Sequence, residues 1–360
     1  MSFNRRLFLL TGLGFSGLGL AALAQNWPKP NPTGRLKVTS PSKQKISAAP
    51  QGLDKPPVRG DVRIVVISDL NSQYGSTSYE MEVDRAIKMI PDWQGDLVIC
   101  GGDMIAGQKH SLSDSNVQAM WEAFDQHIAR PLRQAKIPLG FTVGNHDASG
   151  SQIGGKLSFA RDRNLAAQYW QQHDPGLNFI DRQGFPFYYT FSQKDVFYLV
   201  WDASCDTIPP EQLIWAEKSL SSPAAKNAKL RLVIGHLPLY GIAKGRDNAG
   251  NYLTKAEELR KLLESHNVHT YISGHDHAYY PAKRGKLELL YTGALGADPR
   301  QLIQGSLTPY KTLTVIDIDL KSKATIYTTY NMRELSLVDI TTLPKEIKSP
   351  TKTLTRRDIA

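Results

Sequence analysis

Ser273-Gly274-His275-Asp276-His277 follows directly on an apolar run over residues 268–272. Two imidazoles stand at i and i+2, with a glycine in front of them. They can point the same way only where the backbone has left the strand and turned, as a metal-binding loop at a strand end does. The pair alone is weak, because a His-x-His in a polar loop is more often solvated than bound to metal. Four other stretches repeat the design of an apolar run, a small residue or two, and then a side chain able to ligate. Residues 62–67 lead to Ser68-Asp69-Leu70-Asn71, and 96–100 lead to Gly101-Gly102-Asp103. Residues 138–143 lead to Gly144-Asn145-His146-Asp147, and 230–234 lead to Gly235-His236.

The apolar runs are the predicted strands of an alternating chain. Residues 62–67 are nearly continuous in β-branched side chains, which suits a strand covered on both faces. Helical spacing follows over 79–90, where Met81, Val83, Ile87 and Ile90 recur and Pro91 stops the pattern. Further helices are predicted over 117–128, 165–172, 211–220 and 255–265. A hairpin is predicted from 187–191 and 196–201, and late strands from 287–291, 313–318 and 325–330, with weaker helical signals between them. Residues 148 to about 185 break the alternation and read as an excursion over the site. The pattern specifies an α/β layered architecture with mixed sheets, in which sites form beyond the carboxyl ends of the strands. Every candidate ligand lies at such an end.

The bounds around this core are consistent with it. The chain has 360 residues, 41% hydrophobic and 21% charged, within the range of soluble globular proteins. Its formal charge of +9 allows attraction to anionic substrates or surfaces, but no Lys/Arg block is dense enough to argue nucleic-acid binding. The two cysteines, Cys100 and Cys205, do not make a disulfide framework; Cys100 sits inside an apolar run and reads as a buried thiol. Asn4-Arg5-Arg6-Leu7-Phe8-Leu9 opens an apolar, Gly-rich stretch that ends at Ala22-Leu23-Ala24. Residues 1–24 therefore read as a signal peptide whose paired arginines resemble the twin-arginine export signal. The expectation is a protein handled by that export machinery and placed in the periplasm or outside the cell. Residues 25–60, rich in Pro, Lys, Ser and Gln, read as a flexible linker. Residues 61–335 form the folded domain, and 336–360 read as a polar tail that trails off.

The strand-end set is Asp69, Asn71, Asp103, Asn145, His146, His236, His275 and His277. It mixes carboxylate, amide oxygen and imidazole, which suits Mn, Fe or Zn and not a thiolate site. The donors outnumber what one ion needs, and a carboxylate bridging two ions uses the surplus. Two ions about 3.5–4 Å apart can deprotonate water at neutral pH and clamp a phosphoryl oxygen during in-line displacement.

The order Asp-x-Asn, Gly-Asp, Gly-Asn-His-Asp, Gly-His, Gly-His-x-His resembles the calcineurin-like metallophosphoesterases over roughly residues 62 to 330. The two longer motifs are specific together; Gly-Asp and Gly-His alone are weak. The resemblance implies a four-layer α-β-β-α sandwich of mixed sheets and a site for two divalent or trivalent metal ions. It implies that Asp103 bridges the ions, that Asp69 and His277 hold the first, and that Asn145, His236 and His275 hold the second. His146 would protonate the leaving alkoxide, as imidazole can near neutral pH. The chain departs from the family at three positions. Asn71 stands where a His ligand is usual. Ala106 stands where many members place the Asp that orients the catalytic His. Gly107 stands where protein phosphatases have Arg, which argues against that branch. Arg161, Arg163, Lys244 and Arg246 lie in loops that could reach a substrate.

The resulting expectation is an exported two-metal hydrolase of phosphomonoesters or phosphodiesters that uses metal-activated hydroxide. The alternatives are a cyclic-nucleotide or other phosphodiesterase, and a metal-binding module without turnover.

Overall fold

The first strand of the folded region, β1 (Val62–Ile67), is buried at all six positions. Val62, Ile64 and Val66 face one hydrophobic cluster and Val65 and Ile67 face another. The period-2 alternation of a strand, with apolar cover on both sides, is why the run looks continuous in sequence. The one charge in it, Arg63, is buried against Asp317, with Nε 2.9 Å from the carboxylate. The computed structural model describes residues 58–349 and 352–360.

The chain continues through α1 (Met81–Met89), β2 (Leu97–Cys100), α2 (Asp114–Phe124), a π-helical turn (Asp125–Ala129), α3 (Arg130–Gln134), β3 (Leu139–Phe141) and the single-turn α4 (Asn145–Ala148). A small hairpin of β4 (Gln152–Ile153) and β5 (Lys156–Leu157) precedes α5 (Ala160–Gln172), β6 (Asn178–Gly184), β7 (Tyr188–Gln193) and β8 (Val196–Val200). Then come α6 (Pro210–Leu220), α7 (Pro223–Asn227), β9 (Leu230–Ile234), α8 (Ala256–Ser265), β10 (Thr270–Ser273), β11 (Tyr279–Arg284) and β12 (Leu287–Thr292). The last strands are β13 (Thr312–Ile318), β14 (Thr325–Asn331), β15 (Ser336–Leu337), β16 (Glu346–Ser349) and β17 (Lys352–Arg356).

One sheet has the order β15-β14-β13-β1-β2-β3, with β1, β2 and β3 parallel. The other has the order β16-β17-β11-β12-β10-β9-β8-β7-β6, with β8, β9, β10 and β12 parallel. Val62, Ile64, Val66, Leu97 and Ile99 of the first sheet pack into one cluster with Phe191, Tyr198, Leu232 and Ile272 of the second. That cluster reaches on to Ala216 and Leu220 of α6 and Leu259 and Leu263 of α8. The opposite face of the first sheet packs on Val83 and Ile87 of α1, Trp121 and Phe124 of α2, and Trp170 of α5. This is the expected α-β-β-α layering. Among the described residues no helix is long and apolar enough to cross a membrane.

The sequence reading differs from the structure at the edges. Residues 336–360 do not trail off: β17 pairs antiparallel with β11 and carries β16 as the sheet's last strand. Ile347 and Leu354 are fully buried there. Each is a lone apolar residue among polar neighbours, so the short strands leave almost no periodic signal. The excursion over 148–185 contributes β6, an edge strand whose half-exposed sequence NFIDRQG also lacks a pattern. The weak helical signals read among the late strands form no helix among the described residues. The leader expected over 1–24 lies outside the described residues, as does the linker up to residue 57.

Candidate metal centre

The parallel strands of the two sheets end along a shared edge, and the loops there are tied together by backbone. Gly101 N–H donates to the Ile67 carbonyl (2.8 Å) and Leu70 N–H to that of Asp103 (2.9 Å). Gly274 N–H donates to the His236 carbonyl (3.1 Å), and Gly296 N–H, after β12, to that of Asp69 (2.9 Å). Four of the candidate ligands leave their strands in the left-handed region: Asp69 at φ 50°, Asp103 at 53°, His275 at 66° and His277 at 52°. Non-glycine residues seldom adopt that conformation, and clustered cases mark functional sites. It turns these side chains off the strand direction and over the edge.

The small residues of the motifs have a steric cause. A Cβ on Gly144 would lie 2.1 Å from Asp103 Oδ1, and one on Gly274 would lie 2.7 Å from Asp69 Oδ2. At Gly144 the Asp103 carboxylate occupies the space that a side chain would need, and at Gly274 the Ser68 hydroxyl (2.3 Å) and the Asp69 carboxylate share it.

Oxygens and ring nitrogens of Asp69, Asp103 and His236, all buried, lie within 4.8 Å of one another. His236 Nε2 is 3.3 Å from Asp103 Oδ2 and 3.0 Å from Asn145 Oδ1. His275 Nδ1 lies 3.0 Å from the same Asn145 oxygen. His277 Nε2 is 3.3 Å from Asp69 Oδ1. The structure thus brings six of the seven predicted ligands into one contiguous cluster through their side chains. Asn71 stands beside it: its N–H donates to the Asp103 carbonyl (3.1 Å), and its side-chain oxygen is buried without a partner.

These residues fit divalent metal ions. The outer nitrogen of His236 contacts the Gly101 carbonyl (2.8 Å) and that of His277 the Asp298 carbonyl (2.9 Å). Such partners fix the tautomer so that the other nitrogen presents its lone pair inward. For His275 the outer Nε2 meets Asn251 Oδ1 at 3.2 Å and Arg246 Nη1 at 3.1 Å. A buried acceptor with no donor, as on Asn71, costs about 1–3 kcal/mol unless something satisfies it, and a cation does.

Without an ion, Asp103 and His236 hold one another in their charged forms. Burial alone would raise the Asp103 carboxyl, but the imidazoles of His236 and His146 hold it well below the usual range. Burial alone would lower the His236 imidazole, but Asp103 pushes it up to about 9. The buried Asp147 is pushed up to about 7 by burial and by the charge of Asp103.

His146 protrudes from the cluster. Its backbone N–H donates to Asp103 Oδ1 (2.9 Å), and its Nε2 lies 3.9 Å from Asp103 Oδ2. Its Nδ1 faces the Gly107 carbonyl at 3.3 Å. A main-chain carbonyl therefore takes the orienting place of the carboxylate that Ala106 lacks. Tyr74, 54% exposed, lies with its ring centroid 5.1 Å from the imidazole.

Three of the four loop cations are engaged away from the ligand cluster. Arg161 pairs with Asp162 (2.8 Å) and Arg163 with Asp202 (2.7 Å), while Lys244 donates to Gln301 (2.7 Å). Arg246 donates to Asn251 Oδ1 (2.7 Å) behind His275. Sequence reasoning missed Asp147, whose carboxylate accepts from Gly144 N–H (2.8 Å) and Ile105 N–H (2.9 Å) and so clamps α4 to the Asp103 loop. It also missed Gln108 and Asn251, which carry no motif of their own.

A profile of the calcineurin-like phosphoesterase family matches residues 62–279. Among solved structures, the fold is similar to a purple acid phosphatase from yellow lupin (Lupinus luteus) seeds. The TM-score is 0.54 at 16% identity, over 77% of this chain and 52% of that one. The chain thus spans about half the length of the lupin enzyme. It is also similar to GAP50, an anchor in the inner membrane complex of Plasmodium, with a TM-score of 0.48 at 13% identity, over 79% of this chain and 91% of that one. No curated protein matches the chain in sequence.

Proposed function

The chain belongs to the calcineurin-like phosphoesterase family of metal-dependent phosphoric ester hydrolases, and we propose that it hydrolyses a phosphomonoester or phosphodiester at a two-ion centre outside the cytoplasm. Asp69, Asn71 and His277 would hold one ion and Asn145, His236 and His275 the other, with the Asp103 carboxylate between them. The observation that carries this reading is the convergence of six donor side chains from five strand ends, with Asp103 Oδ2 3.3 Å from His236 Nε2 and 3.9 Å from His146 Nε2. When bound, two ions make water nucleophilic at neutral pH and neutralise charge on the phosphoryl oxygens.

The chain's own residues supply the rest. Asp103 is buried, so its charge is undiluted by water where two cations would need it. His146 keeps Nδ1–H on the Gly107 carbonyl, which leaves Nε2 to hold the proton that the leaving oxygen takes up. The small turn α4 fixes that imidazole next to the ligand Asn145, so ligand and proton donor move as one unit.

Placement outside the cytoplasm rests on Arg5-Arg6-Leu7-Phe8-Leu9 and Ala22-Leu23-Ala24. Replacing both arginines by lysine should leave precursor in the cytoplasm; normal export of that variant would remove the twin-arginine reading. The test of the reaction is turnover of p-nitrophenyl phosphate against its bis-ester with Mn²⁺ added. Preference for the bis-ester makes the protein a phosphodiesterase, and turnover of neither removes the proposal.

A further inference from the structure

We propose that Gln108 is a positioning residue for the second ion, because its side-chain oxygen decides which atom of the Asn145 amide turns inward. This rests on the two-ion reading above. An amide can ligate only through its oxygen; its nitrogen carries two N–H groups and no usable lone pair. Asn145 Oδ1 lies 3.0 Å from both His236 Nε2 and His275 Nδ1, among the donors of the second ion. At the other end of the amide, Nδ2 donates to Gln108 Oε1 at 2.7 Å. Without that acceptor the amide loses the partner that anchors its nitrogen outward. Rotated by half a turn, it would aim N–H groups at a cation.

The backbone around Gln108 is built to deliver this contact. Gln108 sits at φ 63°, a conformation that glycine adopts without strain and glutamine does not. It is held there by its N–H, which donates to Asp162 Oδ2 at 3.2 Å, and Asp162 is buried on α5. The preceding Gly107 passes so close to α4 that a Cβ would lie 2.5 Å from the His146 carbonyl oxygen. One two-residue segment therefore orients both residues of the Asn145-His146 pair: the Gly107 carbonyl sets the proton donor and the Gln108 side chain sets the ligand. A strained position that keeps a long amide, where a glycine would serve the backbone better, points to use of the side chain.

The experiment measures Mn²⁺ binding by equilibrium dialysis and elemental analysis on metal-free wild type, Gln108→Met and Gln108→Glu, with thermal melting of each. Methionine keeps the length and removes the acceptor, whereas glutamate keeps an acceptor oxygen. Wild type should take two ions. Gln108→Met should lose about 10–100-fold in affinity at one site and keep the other, while Gln108→Glu binds both at least as tightly as wild type. The metal-free melting temperatures of the three should coincide. Wild-type binding of both ions by Gln108→Met would overturn the inference alone, as would equal losses in the Met and Glu variants. A wild-type chain that takes up no ion would overturn the two-ion reading and the inference together.

Discussion

Gly144→Ala is the sharpest perturbation that the structure offers, because it adds one methyl group and removes none of the proposed ligands. The new Cβ would start 2.1 Å from Asp103 Oδ1 and 2.4 Å from Asp103 N. Contacts of that kind are essentially never shorter than 3.0 Å, so something must yield by about 0.9 Å. Both colliding atoms belong to the residue proposed to sit between the ions, and its backbone is tied to Leu70 and Asn71. The neighbour that yields is therefore the carboxylate itself or the turn that carries Asn145 and His146. A displacement of about 1 Å at a reacting site costs on the order of 10²-fold in rate. Overpacking costs about 1–3 kcal/mol in stability. The control is Gly154→Ala in the β4–β5 hairpin, where nothing lies within 4 Å of the new Cβ and only the left-handed φ of 58° is penalised. The assay is kcat on p-nitrophenyl phosphate with Mn²⁺, together with ion content and melting temperature. Gly144→Ala should lose about 10²-fold or more in kcat, while Gly154→Ala melts lower but turns over normally. A Gly144→Ala variant with wild-type kcat and ion content would show that Asp103 is not held where the account needs it.

Three further outcomes are expected. His146→Ala should lose about 10²–10⁴-fold on substrates with poor leaving groups and far less on p-nitrophenyl esters, whose leaving group needs little protonation; equal losses on both would give His146 a positioning role instead. Asn71 offers a neutral oxygen where the family usually has imidazole, so the first site should bind its ion less tightly than the second and lean toward Mn²⁺. Asn71→His should raise occupancy there and Asn71→Ala should lower it, and indistinguishable titrations of all three chains would strike Asn71 from the ligand set. Asp125 is buried, which alone would raise its carboxyl, but Arg133 and Arg130 outweigh burial and hold it below the usual range. A depressed carboxyl contributes stability above its unfolded value, near 4, and loses it as pH falls through the lower folded value. The gap in melting temperature between wild type and Asp125→Asn should therefore be widest above about pH 5 and narrow as the pH falls below the unfolded value; a gap constant with pH would mean that the ion pairs contribute nothing.

The layered fold was legible because its central strands are covered on both faces, which leaves apolar runs such as 62–67 and 230–234 that no turn or exposed helix imitates. The candidate ligands were legible because each follows such a run, and several have before them a glycine that neighbouring groups crowd: Asp103 at Gly144, the His236 ring at Gly102, and Tyr271 and Trp201 at Gly235. Ala106 and Gly107 were visible as departures, but their consequence was not: the carbonyl that faces His146 Nδ1 is main chain and leaves no trace in residue type. Gln108 and Asn251 were illegible for a related reason. Their contacts reach Asn145 and His275 across 37 and 24 residues, and only the folded chain brings them together. The terminal strands β16 and β17 were missed because each has a single buried apolar side chain, Ile347 and Leu354, and the other inward positions of β17 are the charged Lys352 and Arg356, which leaves no apolar period to read.

The central claim is that phosphate-ester hydrolysis occurs at two ions gathered around Asp103. It is tested most directly by titrating Mn²⁺ into the metal-free chain and into Asp103→Asn, with ion content and p-nitrophenyl phosphate turnover read on the same samples. Wild type should bind two ions per chain and gain turnover as they bind, while Asp103→Asn loses both ions and turnover together. Wild-type turnover that persists in chelator, or two ions retained by an Asp103→Asn chain that remains active, would contradict it.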